Sequence, residues 1–293
     1  MKRIYLFIAL CALLCGCAAS APSAQIAATT LPVYEFTASL CEGTPITVTR
    51  LVTEEVSCLH DYSLNVRQVK AAEAAELMVI SGGGLEAFME DLLVGKTYID
   101  ASAGIELLCP QNAHAHEEDH GDHAGHHHDQ DPHIWLSPEN AMVMAENICR
   151  GLTENYPQYE STFRENLQDL LSQLEQLQAY GEASLEALSC RDLITFHDGF
   201  SYLADSFHLH ILEAVEEESG SEASARELIH LIEEVRHHDL PAIFTERSGS
   251  DSAAGIISRE TGAGVYTLDM AMAGDSYFDA MYHNIDTLKE ALE

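Results

Sequence analysis

From residue 26 onward the chain alternates short runs of β-branched and apolar residues with stretches whose apolar positions recur every three or four residues. Residues 26–30, 46–52, 77–81 and 98–101 read as strands; 31–40, 65–75 and 85–93, lying between them, read as helices. Such a βαβ rhythm predicts a parallel sheet covered on both faces. It returns after residue 190, with strands over 193–196, 211–215, 242–245 and 265–268 and a helix over 222–238. The expected fold is α/β, with one lobe over 26–158 and a second over 190–293.

Between the lobes, residues 160–188 hold no Pro and one Gly, and Leu167, Leu170, Leu171, Leu174, Leu177, Leu185 and Leu188 follow mostly three- and four-residue steps. One long amphipathic helix over 159–189 is predicted, about 40 Å from end to end, enough to link the lobes rigidly. The stripe could instead face a coiled-coil partner, but it lasts only about four heptads and flanking lobes could cover it.

Composition narrows the function classes. With 48 acidic against 14 basic side chains the formal charge is −34, which excludes nucleic acid as a partner. At 46% apolar and 21% charged, the chain belongs with globular proteins. Its first residues differ: Met1-Lys2-Arg3 and the apolar run to Cys15 have the form of a secretory signal. Leu14-Cys15-Gly16-Cys17 resembles a bacterial lipobox, with Cys17 as the lipidated residue, so residues 1–17 are expected to direct export and anchoring to a bilayer. Residues 18–25 suit a tether. The remaining cysteines, Cys41, Cys58, Cys109, Cys149 and Cys190, are odd in number, so at least one thiol stays unpaired in a monomer; spacing does not give the pairing.

Residues 112–131 are different in kind. Seven of the twenty are His (His114, His116, His120, His123, His126, His127 and His128) and six are acidic, with no Lys, Arg or large apolar residue. The segment cannot contribute to a core and reads as an auxiliary metal-capturing loop of many weak nitrogen and oxygen ligands.

Four further residues fall at strand ends or in the loops that follow, where α/β architectures bind ligands: His60, His133, His197 and Asp269. Two come from each lobe and can converge in a cleft. Three imidazoles and a carboxylate suit four-coordinate Zn²⁺ better than Mg²⁺ or Ca²⁺, which prefer six or more oxygens. Each could also be an ordinary core, turn or capping residue.

These stretches carry a resemblance. Cys58-Leu-His-Asp-Tyr-Ser, Asp131-Pro-His-Ile-Trp-Leu-Ser-Pro, His197-Asp-Gly-Phe-Ser-Tyr, Thr245-Glu and Gly274-Asp-Ser-Tyr, in that order, resemble the substrate-binding lipoproteins of bacterial zinc and manganese ABC importers. The resemblance covers residues 26–293 and implies two α/β lobes, a rigid linking helix and a metal between the lobes. It implies His60, His133 and His197 as ligands with Asp269 as the carboxylate. Manganese members typically carry Glu where this chain has His197, so zinc is expected before Mn²⁺. Some zinc members have Glu where this chain has Leu59, which favours Asp269 over water as fourth ligand. Glu246 is the reserve ligand or a partner that orients a His N–H. Asp198 reads as a helix-start residue.

The implied function is extracytoplasmic capture of Zn²⁺ by a membrane-anchored monomer, and delivery to an ABC importer permease. A surface metal buffer or adhesin with no transporter is the alternative. A zinc hydrolase is the rival from another class, disfavoured because no HExxH helix and no general-base carboxylate beside a ligand pair are present.

Overall fold

The computed structural model describes residues 25–56, 59, 62–109, 130–215, 224–247 and 252–293. β1 (Gln25–Ala28), β2 (Thr47–Arg50), β3 (Leu77–Ile80) and β4 (Tyr98–Asp100) form a parallel sheet in the order β2-β1-β3-β4. β5 (Asp192–Thr195), β6 (His210–Ala214), β7 (Ala242–Glu246) and β8 (Gly264–Leu268) repeat that pattern as β6-β5-β7-β8. In both sheets the order reverses beside the first strand, so the loops leaving β1 and β3, and those leaving β5 and β7, open a crevice at the carboxyl ends.

The helices explain themselves locally. α1 (Leu31–Leu40) joins β1 to β2 and carries Pro32 in its first turn, where the missing N–H is no loss. α2 (Val66–Ala74) starts in a capping box between Asn65 and Gln68. The continuous helix expected over 85–93 is instead a 3₁₀ turn (Leu85–Met89) followed by α3 (Glu90–Leu93), a single turn. Gly84 enters with φ of 88° and Glu86 leaves helical geometry, because its side chain turns inward to meet three donors at the end of β3.

α4 (Pro138–Asn155), capped by Ser137, and α5 (Glu160–Leu185) complete the middle of the chain. α6 (Ser201–Ser206) follows β5, α7 (Ala225–His237) follows β6 and opens in a Ser224–Glu227 capping box, and α8 (Ser252–Thr261) lies between β7 and β8. The chain closes with α9 (Tyr277–Leu292), capped by Ser276. Asp198 is not the helix start expected of it, since the N-cap of α6 is Phe200.

The outer face of each sheet has its own small core. Ala27, Leu51, Ala72, Met78 and Met89 fill the first, and Ile194, Leu231, Val235, Ile243 and Ile257 the second. The inner faces share a single larger core that runs through Phe36, Trp135, Phe163, Leu170, Phe200, Phe244 and Tyr277. α5 spans about 39 Å at 1.5 Å per residue. Its Phe163, Leu170, Leu174, Leu177 and Leu185 are buried, and α1, α4 and α9 pack on it. The apolar stripe is thus covered within the chain. Among the described residues no helix is long and apolar enough to cross a membrane.

Candidate metal site

His133 heads a 3₁₀ turn (Ile134–Leu136) that leads into α4, rather than standing at a strand end. Asp131 holds it twice: the same Oδ1 accepts the His133 backbone N–H at 2.9 Å and faces Nδ1 at 2.7 Å. Burial opposes the charge on Asp131, yet the hydrogen bonds it accepts from the His133 ring and backbone N–H outweigh it and hold the carboxyl below its ordinary value. An imidazole that gives Nδ1–H to a carboxylate keeps a lone pair on Nε2. That Nε2 is buried and has no hydrogen-bond partner among the described residues. A buried nitrogen of this kind disfavours the folded state by about 1–3 kcal/mol unless something binds it, and a borderline-soft cation fits.

His197 lies two residues beyond β5, its carbonyl accepting from the Thr195 hydroxyl at 3.0 Å. Its ring meets that of His133 edge to face, with centroids 5.4 Å apart. Its Nδ1 is 3.7 Å from Oε2 of Glu246, the buried last residue of β7. Gly199 makes the pairing possible: a Cβ there would lie 2.7 Å from both His197 Cδ2 and Met270 Cε, and 3.0 Å from His133 Nδ1.

Asp269 follows β8 directly. Its backbone is fixed by Asn284, which accepts the Asp269 N–H and donates to its carbonyl, both at 2.7 Å. Its Oδ1 accepts the Ala271 N–H at 2.8 Å, and its Oδ2 is 3.2 Å from an Arg247 guanidinium nitrogen. Asp269, Glu246, Arg247 and Met270 line one cleft together with Glu55 and Val56 of the first lobe.

The two lobes are tied at this point. Trp135, two residues past His133, donates its Nε1–H to the Met270 carbonyl at 2.7 Å, and Tyr277 donates its hydroxyl to the Trp135 carbonyl at 2.8 Å. The Tyr202 hydroxyl donates to the Asp131 carbonyl and accepts the Leu108 N–H, each at 2.9 Å.

Of the residues expected from the sequence, the structure brings His133 and His197 together, sets Glu246 beside His197 and places Asp269 on the adjoining wall. Among the described residues, no three His, Cys, Asp or Glu side chains converge tightly enough to hold one ion. His60 lies outside the described residues, as do Cys17, Cys58 and the seven histidines His114, His116, His120, His123, His126, His127 and His128. Cys41, Cys109, Cys149 and Cys190 are free thiols. Sequence reasoning passed over Asp131, Gly199 and Arg247. For Asp131 a signal existed, an acidic residue two positions before a candidate ligand; for Arg247 there was none beyond its place next to Glu246.

A family model described as zinc-uptake complex component A, periplasmic, matches residues 26–291. The zinc-binding lipoprotein AdcA of Streptococcus pneumoniae serotype 4 (strain ATCC BAA-334 / TIGR4) is 30% identical over 317 aligned positions, which take in 100% of this chain and 62% of that protein. The chain therefore spans about three fifths of the length of that relative. A putative metal-binding protein of Treponema pallidum (strain Nichols) is 29% identical over 291 positions, covering 94% of this chain and 92% of its own. Among solved structures, that of ZnuA superimposes with a TM-score of 0.76 at 27% identity, covering 92% of this chain and 99% of the other.

Proposed function

Because this chain belongs to the periplasmic zinc-uptake complex component A family, we propose that it is an extracytoplasmic binding protein, not an enzyme, that captures Zn²⁺ between its lobes and delivers it to an ABC importer permease. The observation that carries this reading is the pair formed by the buried His133 and the partly buried His197. One ring is oriented by Asp131 and offers an Nε2 with no partner among the described residues; the other stands against Glu246. Carboxylates behind ring N–H groups raise the basicity of imidazole ligands and fix the tautomer, which is the usual support of a zinc site.

In this reading His133 and His197 supply two nitrogens, His60 a third, and Asp269 the oxygen, with Glu246 orienting His197. Zn²⁺ is the cargo, and nitrogen at His197 favours it over Mn²⁺. Residues 26–158 and 190–293 serve as the two lobes, 159–189 as the linker, and 112–131 as an auxiliary capture loop. Cys17 serves as the lipid anchor and 18–25 as its tether. The relative named zinc-binding lipoprotein AdcA supports both the metal and the anchored, extracytoplasmic setting.

Chelator-competition titration with Zn²⁺ tests the proposal. Replacement of His133 or His197 by Ala is expected to weaken tight binding by about 100-fold or more, because the ligand and its oriented lone pair go together. Replacement of His60 by Ala should match it. Wild-type affinity in both the His133 and the His197 variants would overturn the reading.

A further inference from the structure

The one cation on the cleft wall among its lining residues, Arg247, belongs to none of the roles above. Its guanidinium stands 3.2 Å from Asp269 Oδ2, while Asp269 Oδ1 is already taken by the Ala271 N–H. The oxygen that Arg247 holds is therefore the one with bonding capacity to spare. A zinc–oxygen bond is about 2.0–2.2 Å long, so an ion at Oδ2 would sit within a few ångströms of the guanidinium charge. The two cations compete for one carboxylate.

The burial of the pair shows which partner yields. The Asp269 side chain is 12% exposed and that of Arg247 52% exposed. The carboxylate is held by the Ala271 N–H and the Asp269 backbone by Asn284, whereas the guanidinium ends a long, half-exposed stem. The Arg247 backbone N–H stays bonded to the Leu268 carbonyl at 3.1 Å, so the side chain can leave without disturbing the strand pair. Glu55, exposed on the opposite lobe and lining the same cleft, offers the displaced guanidinium a second carboxylate.

We infer that Arg247 is a built-in counter-cation that an incoming Zn²⁺ displaces from Asp269, and that it thereby sets the affinity and the release rate of the cleft. Half-exposed ion pairs are weak, so the guanidinium does not block loading. It does offer a replacement charge to Asp269 each time the ion departs, and so hastens release. The inference rests on Zn²⁺ occupying the cleft and on Asp269 contributing to it.

The test uses the full chain with Zn²⁺ alone, reading equilibrium affinity by chelator competition and release by stopped-flow transfer to excess chelator. Arg247→Gln and Arg247→Met, two neutral replacements at an exposed position, are expected to tighten binding roughly tenfold and to slow release in proportion. Arg247→Lys, which keeps the charge, should stay close to wild type. In an Asp269→Asn background the Arg247→Gln effect should vanish, since the competed carboxylate is gone. Unchanged or weaker binding in both neutral variants, or an effect that survives Asp269→Asn, overturns the inference. Failure of the underlying function reading looks different: His133→Ala would then keep wild-type affinity. Failure of this inference alone leaves the His133 loss intact while the Arg247 effect is absent.

Discussion

The two lobes share one strand order yet treat the end of their third strand in opposite ways. In the first, Glu86 turns inward: its carboxylate accepts the Thr29 hydroxyl at 2.6 Å and the Ser81 and Gly82 N–H groups at 2.7 and 3.0 Å, and so seals the reversal point between β1 and β3. In the second, the equivalent place between β5 and β7 presents Glu246 to His197, with Arg247 and Asp269 on the wall beside it. One carboxylate is spent on closing its own lobe and the other is turned toward a shared cleft. A common architecture therefore fixes where polar groups collect, and the direction in which a single side chain points decides between structure and chemistry.

Substitutions that exchange these roles give the sharpest tests. The largest expected effect is on Glu86→Ala, which strands a hydroxyl and two backbone N–H groups in a buried site and should lower unfolding free energy by about 3 kcal/mol or more. Denaturant melts would show this, with zinc affinity of the folded protein little changed. Loss of zinc binding without loss of stability would refute the division between the lobes.

Glu86→Gln separates charge from shape. Burial pushes the Glu86 carboxyl from 4.5 up to about 7, against the pull of its three donors. The folded state then holds its proton more tightly than the unfolded state. The stability this contributes is full below pH 4.5 and lost as pH rises through about 7. The advantage of wild type over Glu86→Gln should fall by roughly 3 kcal/mol across that window, a figure that follows from about 1.4 kcal/mol per pH unit. Melts at pH 4.5 and 7.5 measure it, and parallel curves for the two proteins would contradict it.

Glu246→Gln should show the reverse pattern to Glu86→Ala, weakening zinc about 10- to 100-fold through the loss of His197 orientation while changing stability less. Gly199→Ala follows, with a roughly tenfold loss, because the added Cβ forces His197 and Met270 to give way within a packed site. The smallest effect is at the seam between lobes. Glu35 of α1 accepts the Tyr277 N–H at 2.6 Å at the start of α9, and burial raises its carboxyl above the ordinary range. Glu35→Gln should reduce stability by about 1 kcal/mol or less and leave zinc titrations unaltered.

The sheets were readable from sequence because buried parallel strands leave short apolar runs that neighbouring elements cannot mimic. All eight strands overlap the expected segments, and α1 matches its expected span residue for residue. α4 and α9 escaped notice although Ser137 with Pro138, and Ser276, announce their starts. The turn after β3 misled for a physical reason: Gly82, Gly83 and Gly84 all adopt left-handed φ, and Glu86 abandons helix geometry to serve as an internal acceptor. No periodicity records such a tertiary bond. The pairing of His133 with His197 was legible as chemistry, since both stand in polar breaks beside apolar runs. The Asp269–Arg247 ion pair was not, because it depends on which rotamers the cleft admits.

The base of the histidine-rich insertion has a consequence of its own. The Asp131 N–H bonds to the Leu108 carbonyl at 2.7 Å, and one tyrosine hydroxyl clasps both strands of the neck. Entry and exit of the insertion thus stand side by side, two residues from His133, whatever its length. Closing entropy grows only slowly with the number of residues between such points, so the fold tolerates lengthening, trimming or reshuffling of that stretch. A change of length there should therefore leave the Asp131–His133 pair and the cleft residues as they are.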